Sequence, residues 1–404
     1  MDREANLVQL ARIIKDYRKG ELDFTPDVDH ISKWLSQFSP ENQDVILQET
    51  LHVFQEWYFS NEYVDEKVDR IPSYLQKKYH YSNTHSVCNS VSFLSMQKDG
   101  NSQRAIISRL AERISDRYGL SIKTEVNEDI NHYVYFDDGL YTGSRARKDL
   151  EDIICYLPKN STLEVFYIVA CESAFLYTKK KVLELANQHG ITLLMHSWKT
   201  IFNIKSSEWS ADGTESWCAR HDCIWPMPSL KVDEDVCSYI GSLTEISDAA
   251  KKYLFRKANW ANDAGIFTTV ENRAVVEKEF LLKGIKILEN VSERKGIYPL
   301  GFNSFQSLGL GSFCAFEMNI SNTCPLVLWW GNNTSKGDVL DAWYPLLPRR
   351  VNPHEKTKNH WDDMVFWGEQ NQMDQYNMCP DCGGYFGLEE DGGNGFCIDC
   401  AWKH

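Results

Sequence analysis

The sequence lacks the features that are typical of a membrane protein, an exported protein or a protein that coats nucleic acid. No apolar run approaches the roughly 20 residues that span a bilayer, and the first residues alternate charged with apolar side chains, unlike an export signal. Positive charge is scarce, because 43 Lys and Arg stand against 57 Asp and Glu, and the formal net charge is -14. This balance disfavours a protein that coats nucleic acid. We therefore expect a cytoplasmic protein without a membrane partner.

The 12 cysteines fall into two groups. Without an export signal, we expect those outside the C-terminus to be reduced, mostly buried thiols, and we predict no disulfide. The last four form two Cys-x-x-Cys pairs separated by a glycine-rich stretch: Cys379 with Cys382, and Cys397 with Cys400. Four thiolates satisfy tetrahedral zinc and leave no position for a substrate, so the spacing predicts a structural zinc ribbon. The ribbon either fastens to the main body or contacts a protein or nucleic acid.

Length and periodicity indicate more than one structural unit. A chain of 404 residues exceeds a typical single domain, and 43% hydrophobic residues supply ample core material. Apolar residues recur at helical spacing through residues 1–80, whereas from about residue 88 apolar strands alternate with helical segments. Such alternation is typical of βαβ units. The predicted fold class is α/β, an open and mostly parallel sheet with an N-terminal helical cap, an α+β extension and a small zinc ribbon.

The predicted limits are residues 1–80 for the helical region, 81–235 for the α/β core, 236–365 for the extension and 375–404 for the ribbon. Core strands are predicted at residues 91–97, 132–136, 163–171 and 191–198, with helices between them. The helix before the last strand is predicted to end at Gly190. In the extension, helices are predicted near residues 236–257 and 270–293, and strands within 308–332.

The most informative loop follows the strand at residues 132–136. Two adjacent carboxylates, Asp137 and Asp138, are followed by Thr142 and Ser144, and a helix is predicted to begin immediately after. Ligands of open α/β sheets bind beyond the carboxyl ends of the strands, and a helix N-terminus points N–H groups at anions. The carboxylates suit ribose hydroxyls or Mg²⁺, and the hydroxyls suit phosphate. The alternative is an acidic turn that caps the helix.

This segment, YVYFDDGLYTGS, resembles the phosphoribosyl pyrophosphate motif of type I phosphoribosyltransferases, in which four apolar residues precede two acids, three variable residues and Thr-Gly. The resemblance implies the parallel sheet of that fold, with the acids on the ribose hydroxyls and the Thr-Gly loop around the 5′-phosphate. The residues concerned are Asp137 and Asp138, then Thr142, Gly143 and Ser144. The chain departs from the pattern at Arg145, where many members carry Thr or Ser, so the phosphate loop is expected to be altered.

A second element fits the same comparison. Lys98, Asp99 and Gly100 follow the strand at residues 91–97, in the place of the family's pyrophosphate loop. The resemblance implies that Lys98 and Gly100 bind pyrophosphate, together with Mg²⁺. The alternative is a plain turn between strand and helix, because glycine after a strand is common.

A wider resemblance, spread over residues 70–350, is to phosphoribosyltransferase-like proteins of bacterial conflict and anti-phage systems, some of them linked to retrons. It implies a protein that binds phosphoribosyl pyrophosphate or a related nucleotide with Mg²⁺, as a component or effector of a defence system with a protein or nucleoprotein partner. One alternative is a module that senses nucleotides without turnover. A second is a nucleic-acid adaptor acting through the zinc ribbon. The acceptor of a transfer reaction is not legible in the sequence.

Three other features have a functional and a plain interpretation. The segment 218–223 holds two cysteines and a histidine, which either ligate a metal or lie close by chance. Arg273 begins a predicted helix and is a possible phosphate contact, although helix capping explains its surroundings as well. The arginine pair at 349–350 either reaches a phosphate or is simply exposed.

Overall fold

The computed structural model describes residues 2–97, 102–202, 221–243, 251, 254–256, 263–289, 291, 296–303, 307–331, 343–349, 376–378 and 385–387. The chain divides into two compact units, one formed by Met1–Asn61 and Phe202–Gly368 and the other by Glu62–Ile201 and Glu369–His404. The two units do not test the four predicted domain limits, which stay predictions. In the part of the chain that the structure describes, no helix is long and apolar enough to cross a membrane.

The first unit begins with helices whose inner faces carry the apolar residues that recur at helical spacing. These elements are α1 (Arg3–Ile14), α2 (Val28–Leu35), a short 3-10 helix (Pro40–Asn42), α3 (Gln43–Trp57) and the strand β1 (Tyr58–Phe59). Asp27 caps α2, because its carboxylate accepts a hydrogen bond from the His30 N–H. Leu10, Ile14 and Trp34 are completely buried. The helical prediction for this region is confirmed.

The second unit alternates helices with parallel strands, as the sequence predicts. Its elements are α4 (Asn61–Lys78), α5 (Thr84–Ser90), β2 (Val91–Phe93), α6 (Ser102–Tyr118), β3 (His132–Leu140), α7 (Ser144–Tyr156), β4 (Thr162–Cys171), α8 (Glu172–His189) and β5 (Thr192–Ile201). Gly190 follows α8 in a left-handed conformation with φ +70°. The predicted glycine cap is therefore confirmed.

The four strands of this unit form one parallel sheet in the order β2-β3-β4-β5. A further segment lies along the outer side of β2, where Lys123 bridges Ser92 in parallel and its carbonyl accepts a hydrogen bond from the Phe93 N–H at 2.7 Å. The chain thus leaves β2 through α6 toward one side and enters β3 on the other. Ligands of open α/β sheets bind at such switch points, beyond the carboxyl ends of the strands.

Helices cover both faces of the sheet. On one face, the ring of Tyr74 from α4 meets Phe166 edge-on at 5.6 Å between centroids. Helix α6 is joined to α4 by ion pairs such as Arg109 to Asp65 at 2.5 Å. On the other face lies α7, whose Asp149 carboxylate accepts a hydrogen bond from a tyrosine of β3. Successive side chains of a strand point to opposite faces, so each strand supplies residues to both helical layers.

Strand β3 runs further than predicted. The sequence indicates a loop from Asp137, but Asp137 pairs with Tyr167 of β4, Gly139 pairs with Val169, and the strand ends at Leu140. The Asp137 carboxylate is buried and hydrogen-bonded beside the sheet, which keeps its backbone in the ladder despite the low strand propensity of Asp and Gly. The loop between β3 and α7 is therefore only residues 141–143.

The rest of the first unit combines helices with short strands. Its elements are a 3-10 helix (Pro228–Val232), α9 (Glu234–Ser242), α10 (Val270–Glu289), β6 (Ile297–Tyr298), β7 (Gly301–Phe302), β8 (Ala315–Phe316) and α11 (Leu326–Trp329). Strands β6 and β7 form an antiparallel pair, and β8 pairs with β1 in parallel. The apolar run that forms α11 is predicted as a strand. Short apolar runs fit either structure, and here the helix is formed.

Near the C-terminus the structure describes only the backbone of two strands, β9 (Tyr376–Met378) and β10 (Tyr385–Gly387), which pair antiparallel. The connection between them contains the first predicted pair of zinc ligands. All four predicted ligands, Cys379, Cys382, Cys397 and Cys400, lie outside the described residues.

Candidate functional site

The two predicted acids lie at the carboxyl end of β3, at the switch point of the sheet. Asp137 is 6% exposed and accepts hydrogen bonds at both carboxylate oxygens. Its Oδ1 accepts from the Ser102 hydroxyl and from the Asp138 N–H, each at 2.9 Å. Its Oδ2 lies 3.3 Å from the Tyr135 hydroxyl and 3.4 Å from the Gln97 amide nitrogen. The first acid is therefore held in one orientation by neutral donors.

Among the described residues, neither Asp137 nor Asp138 forms an ion pair with Lys or Arg, and no cation is among the main causes that shift their pKa values. Burial, followed by the charge of Asp138, raises the pKa of Asp137 well above its ordinary value. Burial also raises the pKa of Asp138, although hydrogen bonds such as that from the Gly139 N–H, at 2.6 Å, oppose the shift. Keeping these carboxylates ionised in the protein interior without a counter-charge costs free energy, and a bound cation or several hydroxyl donors would reduce that cost.

A third carboxylate, Asp149 of α7, belongs to the same cluster and is missed by sequence reasoning. Its Oδ2 accepts from the Gln97 amide at 2.8 Å and lies 3.3 Å from the Tyr135 hydroxyl. Burial raises the pKa of Asp149. One signal was available in the sequence, since Asp149 stands three residues after Ala146 and four before Ile153, both buried on the inner face of α7.

The predicted pyrophosphate residues Lys98 and Gly100 lie outside the described residues. Their described neighbours can be placed. Gln97, which precedes the segment, and Ser102, which follows it, both hydrogen-bond to Asp137. Both of these described neighbours therefore lie beside the first acid of the site.

The predicted phosphate loop leads directly into a helix. Gly143 is the N-cap of α7, with φ +78°, and Ser144 is the first helical residue. A Cβ at Gly143 would lie 2.5 Å from the Thr178 hydroxyl, so both the left-handed backbone and the space require glycine. The first N–H groups of a helix have no intrahelical acceptor and attract anions. Thr142, on the strand side of Gly143, is partly exposed at this N-terminus.

Positive charge lies beside this loop. Arg145 is exposed in the first turn of α7. Arg147, one turn in from the loop, approaches Glu151 at 3.6 Å and donates to the Tyr177 hydroxyl at 3.4 Å. The loop can therefore offer both backbone N–H groups and guanidinium groups to an anion.

The phosphate-contact interpretation of Arg273 is wrong, because the side chain is completely buried. Its Nε donates to Glu277 at 2.8 Å, Nη1 lies 3.2 Å from Asp263, and Nη2 donates to the Cys223 carbonyl at 3.1 Å. Arg256 shares Glu277 at 2.9 Å. This network connects α10 with residues 223, 256 and 263 of the first unit.

The remaining candidates are the segment 218–223 and Arg349. Within the described residues, no group of three or more His, Cys, Asp or Glu side chains could hold a metal ion by itself. Of the segment 218–223, His221 and Cys223 are buried, and residue 218 lies outside the described residues. Arg349 donates to the Ile320 carbonyl at 3.1 Å.

Comparison with known proteins gives one family. Among curated proteins and among solved structures, none matches this chain. A family model described as PRTase-CE matches residues 31–349, which include the sheet, the acid cluster and the loop before α7. Since the match spans well over half of the sequence, the chain belongs to the PRTase-CE family of phosphoribosyltransferase-like proteins.

Proposed function

We propose that this protein binds phosphoribosyl pyrophosphate or a related nucleotide, with Mg²⁺, at the carboxyl end of β3. One observation carries the proposal. At the switch point of the sheet, the three-residue loop 141–143 separates a strand that ends in uncompensated acids from the N-terminus of α7. A ribose 5-phosphate has the matching polarity, with hydroxyl donors on the ring and an anion at the 5′ end.

The chain's own residues would bind and orient this ligand. Asp137 and Asp138 would accept hydrogen bonds from the ribose hydroxyls, and the N–H groups of Gly143 and Ser144, with the Thr142 hydroxyl, would hold the 5′-phosphate. Lys98 and Gly100 are proposed for the pyrophosphate. Positioning of this kind contributes much of the rate enhancement in group transfer.

The residues present fit Mg²⁺ on the chemistry of the donor set. Asp137 and Asp138 supply hard carboxylate oxygens, which this cation prefers, and no described cation neutralises them. Two carboxylates are too few for octahedral Mg²⁺, so water and ligand oxygens would complete its coordination. Bound Mg²⁺ would supply charge neutralisation for the pyrophosphate group.

Calorimetric titration with magnesium phosphoribosyl pyrophosphate tests the proposal. We expect the wild type to bind, and the double variant Asp137→Asn, Asp138→Asn to bind at least about 100-fold more weakly, because two charge-assisted hydrogen bonds are lost. A matched control is Asp129→Asn, Asp152→Asn, which changes two exposed aspartates of the same unit. A folded wild type without binding, or equal affinity in both double variants, contradicts the proposal. Pyrophosphate release with candidate acceptors separates transfer from sensing.

We also propose a structural zinc ion on Cys379, Cys382, Cys397 and Cys400. Support comes from the spacing of the cysteines and from the antiparallel pair β9 and β10, whose connection contains the first Cys-x-x-Cys. Purified protein should contain one zinc per chain, and Cys379→Ser with Cys382→Ser should remove it. The control pair Cys155→Ser, Cys237→Ser changes two exposed free thiols and should keep the metal. Zinc-free wild type would contradict the assignment.

A role in bacterial anti-phage defence is proposed from the sequence resemblance and the family membership. The test is phage plating on a bacterial host that expresses the protein together with the genes that neighbour it. Protection that is lost in the Asp137→Asn, Asp138→Asn variant supports the role. Protection that this variant retains would mean that the proposed ligand site does not serve defence.

A further inference from the structure

Asp149 and Asp137 share the same hydrogen-bond donors. The Gln97 amide nitrogen lies 2.8 Å from Asp149 Oδ2 and 3.4 Å from Asp137 Oδ2, and the Tyr135 hydroxyl lies 3.3 Å from each. A tyrosine hydroxyl has one proton and donates to one carboxylate at a time, whereas an amide nitrogen has two. Gln97 is therefore the group that joins the two acids, and Asp149 accepts the shorter of its two bonds.

The cluster also has hydrogen-bonding capacity that the described residues do not use. Tyr167 is completely buried and pairs with Asp137 across the strands, yet its hydroxyl has no partner among the described residues. The carbonyl oxygen of the Gln97 side chain, which is 8% exposed, is likewise without a described partner. Buried polar atoms are normally satisfied. Two unsatisfied atoms beside one pair of carboxylates are expected of a site that a ligand and its water complete.

We propose that Asp149 is a positioning residue of the ligand site, which holds the Gln97 amide so that it donates to Asp137 and keeps that carboxylate oriented toward the ligand. Asp149 lies on α7, the helix whose N-terminus forms the phosphate loop, whereas Gln97 follows β2. The hydrogen bond between them therefore connects the helix that follows β3 with the segment that follows β2. The inference rests on the proposed function in that the ligand is taken to be phosphoribosyl pyrophosphate.

A role in stabilising the fold does not explain why a charged carboxylate occupies position 149. Burial raises the pKa of the Asp149 carboxyl, and the Arg145 charge and the hydrogen bonds that Asp149 accepts oppose this shift only in part, so its charge is a cost to folding. An asparagine has nearly the same shape, and its carbonyl oxygen can accept the same bond from Gln97. Asp149→Asn should therefore preserve the positioning role, whereas Asp149→Ala should remove it.

The experiment compares both variants with Asp152→Asn, an exposed aspartate on the same helix. In titrations with magnesium phosphoribosyl pyrophosphate, we expect Asp149→Ala to lose about tenfold in affinity or more, which is what one hydrogen bond to a charged group supplies. Asp149→Asn should stay within about threefold of the wild type on the same scale, and Asp152→Asn should be unchanged. A folded Asp149→Ala protein with wild-type affinity overturns the inference.

A second measurement does not depend on the ligand. In protein labelled with ¹⁵N-glutamine, the Gln97 side-chain amide should give one protected pair of signals in the wild type and in Asp149→Asn, and averaged, rapidly exchanging signals in Asp149→Ala. Unchanged Gln97 signals in Asp149→Ala overturn the inference. If the wild type binds no phosphoribosyl pyrophosphate, the proposed function fails, and the amide signals still decide whether Asp149 orients Gln97.

Discussion

Glu164 and Asp137 are buried carboxylates of the same sheet, and they differ in the partners that surround them. Glu164 faces α4 and accepts from the Tyr74 hydroxyl and Lys78 ammonium, at 2.8 and 2.9 Å, and lies 2.9 and 3.3 Å from the ring nitrogens of His196 and His132. Burial alone would raise the pKa of Glu164. The histidine hydrogen bonds and the Lys78 charge outweigh burial, and hold that pKa well below its ordinary value.

Asp137 lies on the opposite face of the sheet and is surrounded by neutral donors from Ser102, Tyr135 and Gln97. Burial raises the pKa of Asp137, and no described cation offsets it. The comparison separates two uses of a buried acid. Glu164 is compensated within the fold and stabilises it, whereas Asp137 is left uncompensated at the place where a ligand would supply the missing charge or hydrogen-bond donors.

The largest expected effect is on the compensated acid. Glu164→Ala should lower the free energy of unfolding by about 3–5 kcal/mol, because it leaves the partners of a buried ion pair unsatisfied. Denaturant unfolding measures the change. The control Glu184→Ala removes a glutamate of α8 whose side chain is 55% exposed, and should change stability by less than about 0.5 kcal/mol. Equal effects of the two variants would mean that the Glu164 network does not stabilise the sheet.

The proposed phosphate loop, residues 142–144, offers a second, smaller test. Gly143→Ala should destabilise the protein by about 1–2 kcal/mol, because alanine is strained in the left-handed backbone conformation of this position. It should also abolish binding, because the new Cβ would clash with the Thr178 hydroxyl and shift the loop. Gly190→Ala is matched in backbone, with φ +70°, but its Cβ would meet no atom within 4 Å. Gly190→Ala should therefore cost stability and leave ligand affinity unchanged. Loss of binding in both variants would remove the assignment of residues 142–144 to the phosphate.

The smallest effect is on the uncompensated acid, and it has the opposite sign. In buffer free of divalent cations at pH 7, Asp137→Asn should leave the free energy of unfolding unchanged or raise it by on the order of 1 kcal/mol, because a neutral amide avoids the cost of burying a charge. Denaturant unfolding checks this value. A loss of more than about 2 kcal/mol would show that the Asp137 charge stabilises the fold.

The pH dependence should distinguish the two acids by sign. The folded pKa of Glu164 is depressed, so its stabilisation is full above its ordinary value of 4.5 and is lost as pH falls from there through the lower folded value. The folded pKa of Asp137 is raised, so its cost is absent below its ordinary value of 3.8 and grows as pH rises through the folded value. Unfolding of Glu164→Gln and Asp137→Asn against the wild type from pH 3 to 8 measures both. Parallel profiles would contradict the comparison.

Much of the sheet is predictable, because its signals are local. The apolar runs that become β3, β4 and β5 are buried on both faces and read as continuous hydrophobic segments, and Gly190 marks a helix end by its backbone freedom. The end of β3 is not predictable in this way. Asp137 to Leu140 have the composition of a turn, and only pairing with β4 shows that they form a strand.

The site is half predictable for the same reason. Asp137, Asp138 and the Thr-Gly loop stand together in the chain, so a motif can find them. Gln97 and Asp149 are 40 and 12 positions from Asp137 and meet it only through the fold. The sequence also does not show the difference between Asp137 and Glu164, because the partners that compensate the Glu164 charge come from α4, β3 and β5.

The most direct test of the central claim, that the uncompensated acids form the ligand site, is a crystal structure of the protein grown with phosphoribosyl pyrophosphate and Mg²⁺. We predict the ribose hydroxyls within hydrogen-bond distance of Asp137 and Asp138, and the 5′-phosphate on the N–H groups of Gly143 and Ser144. A ligand bound elsewhere on the chain, with no ligand atom within hydrogen-bond distance of Asp137 or Asp138, would contradict the claim.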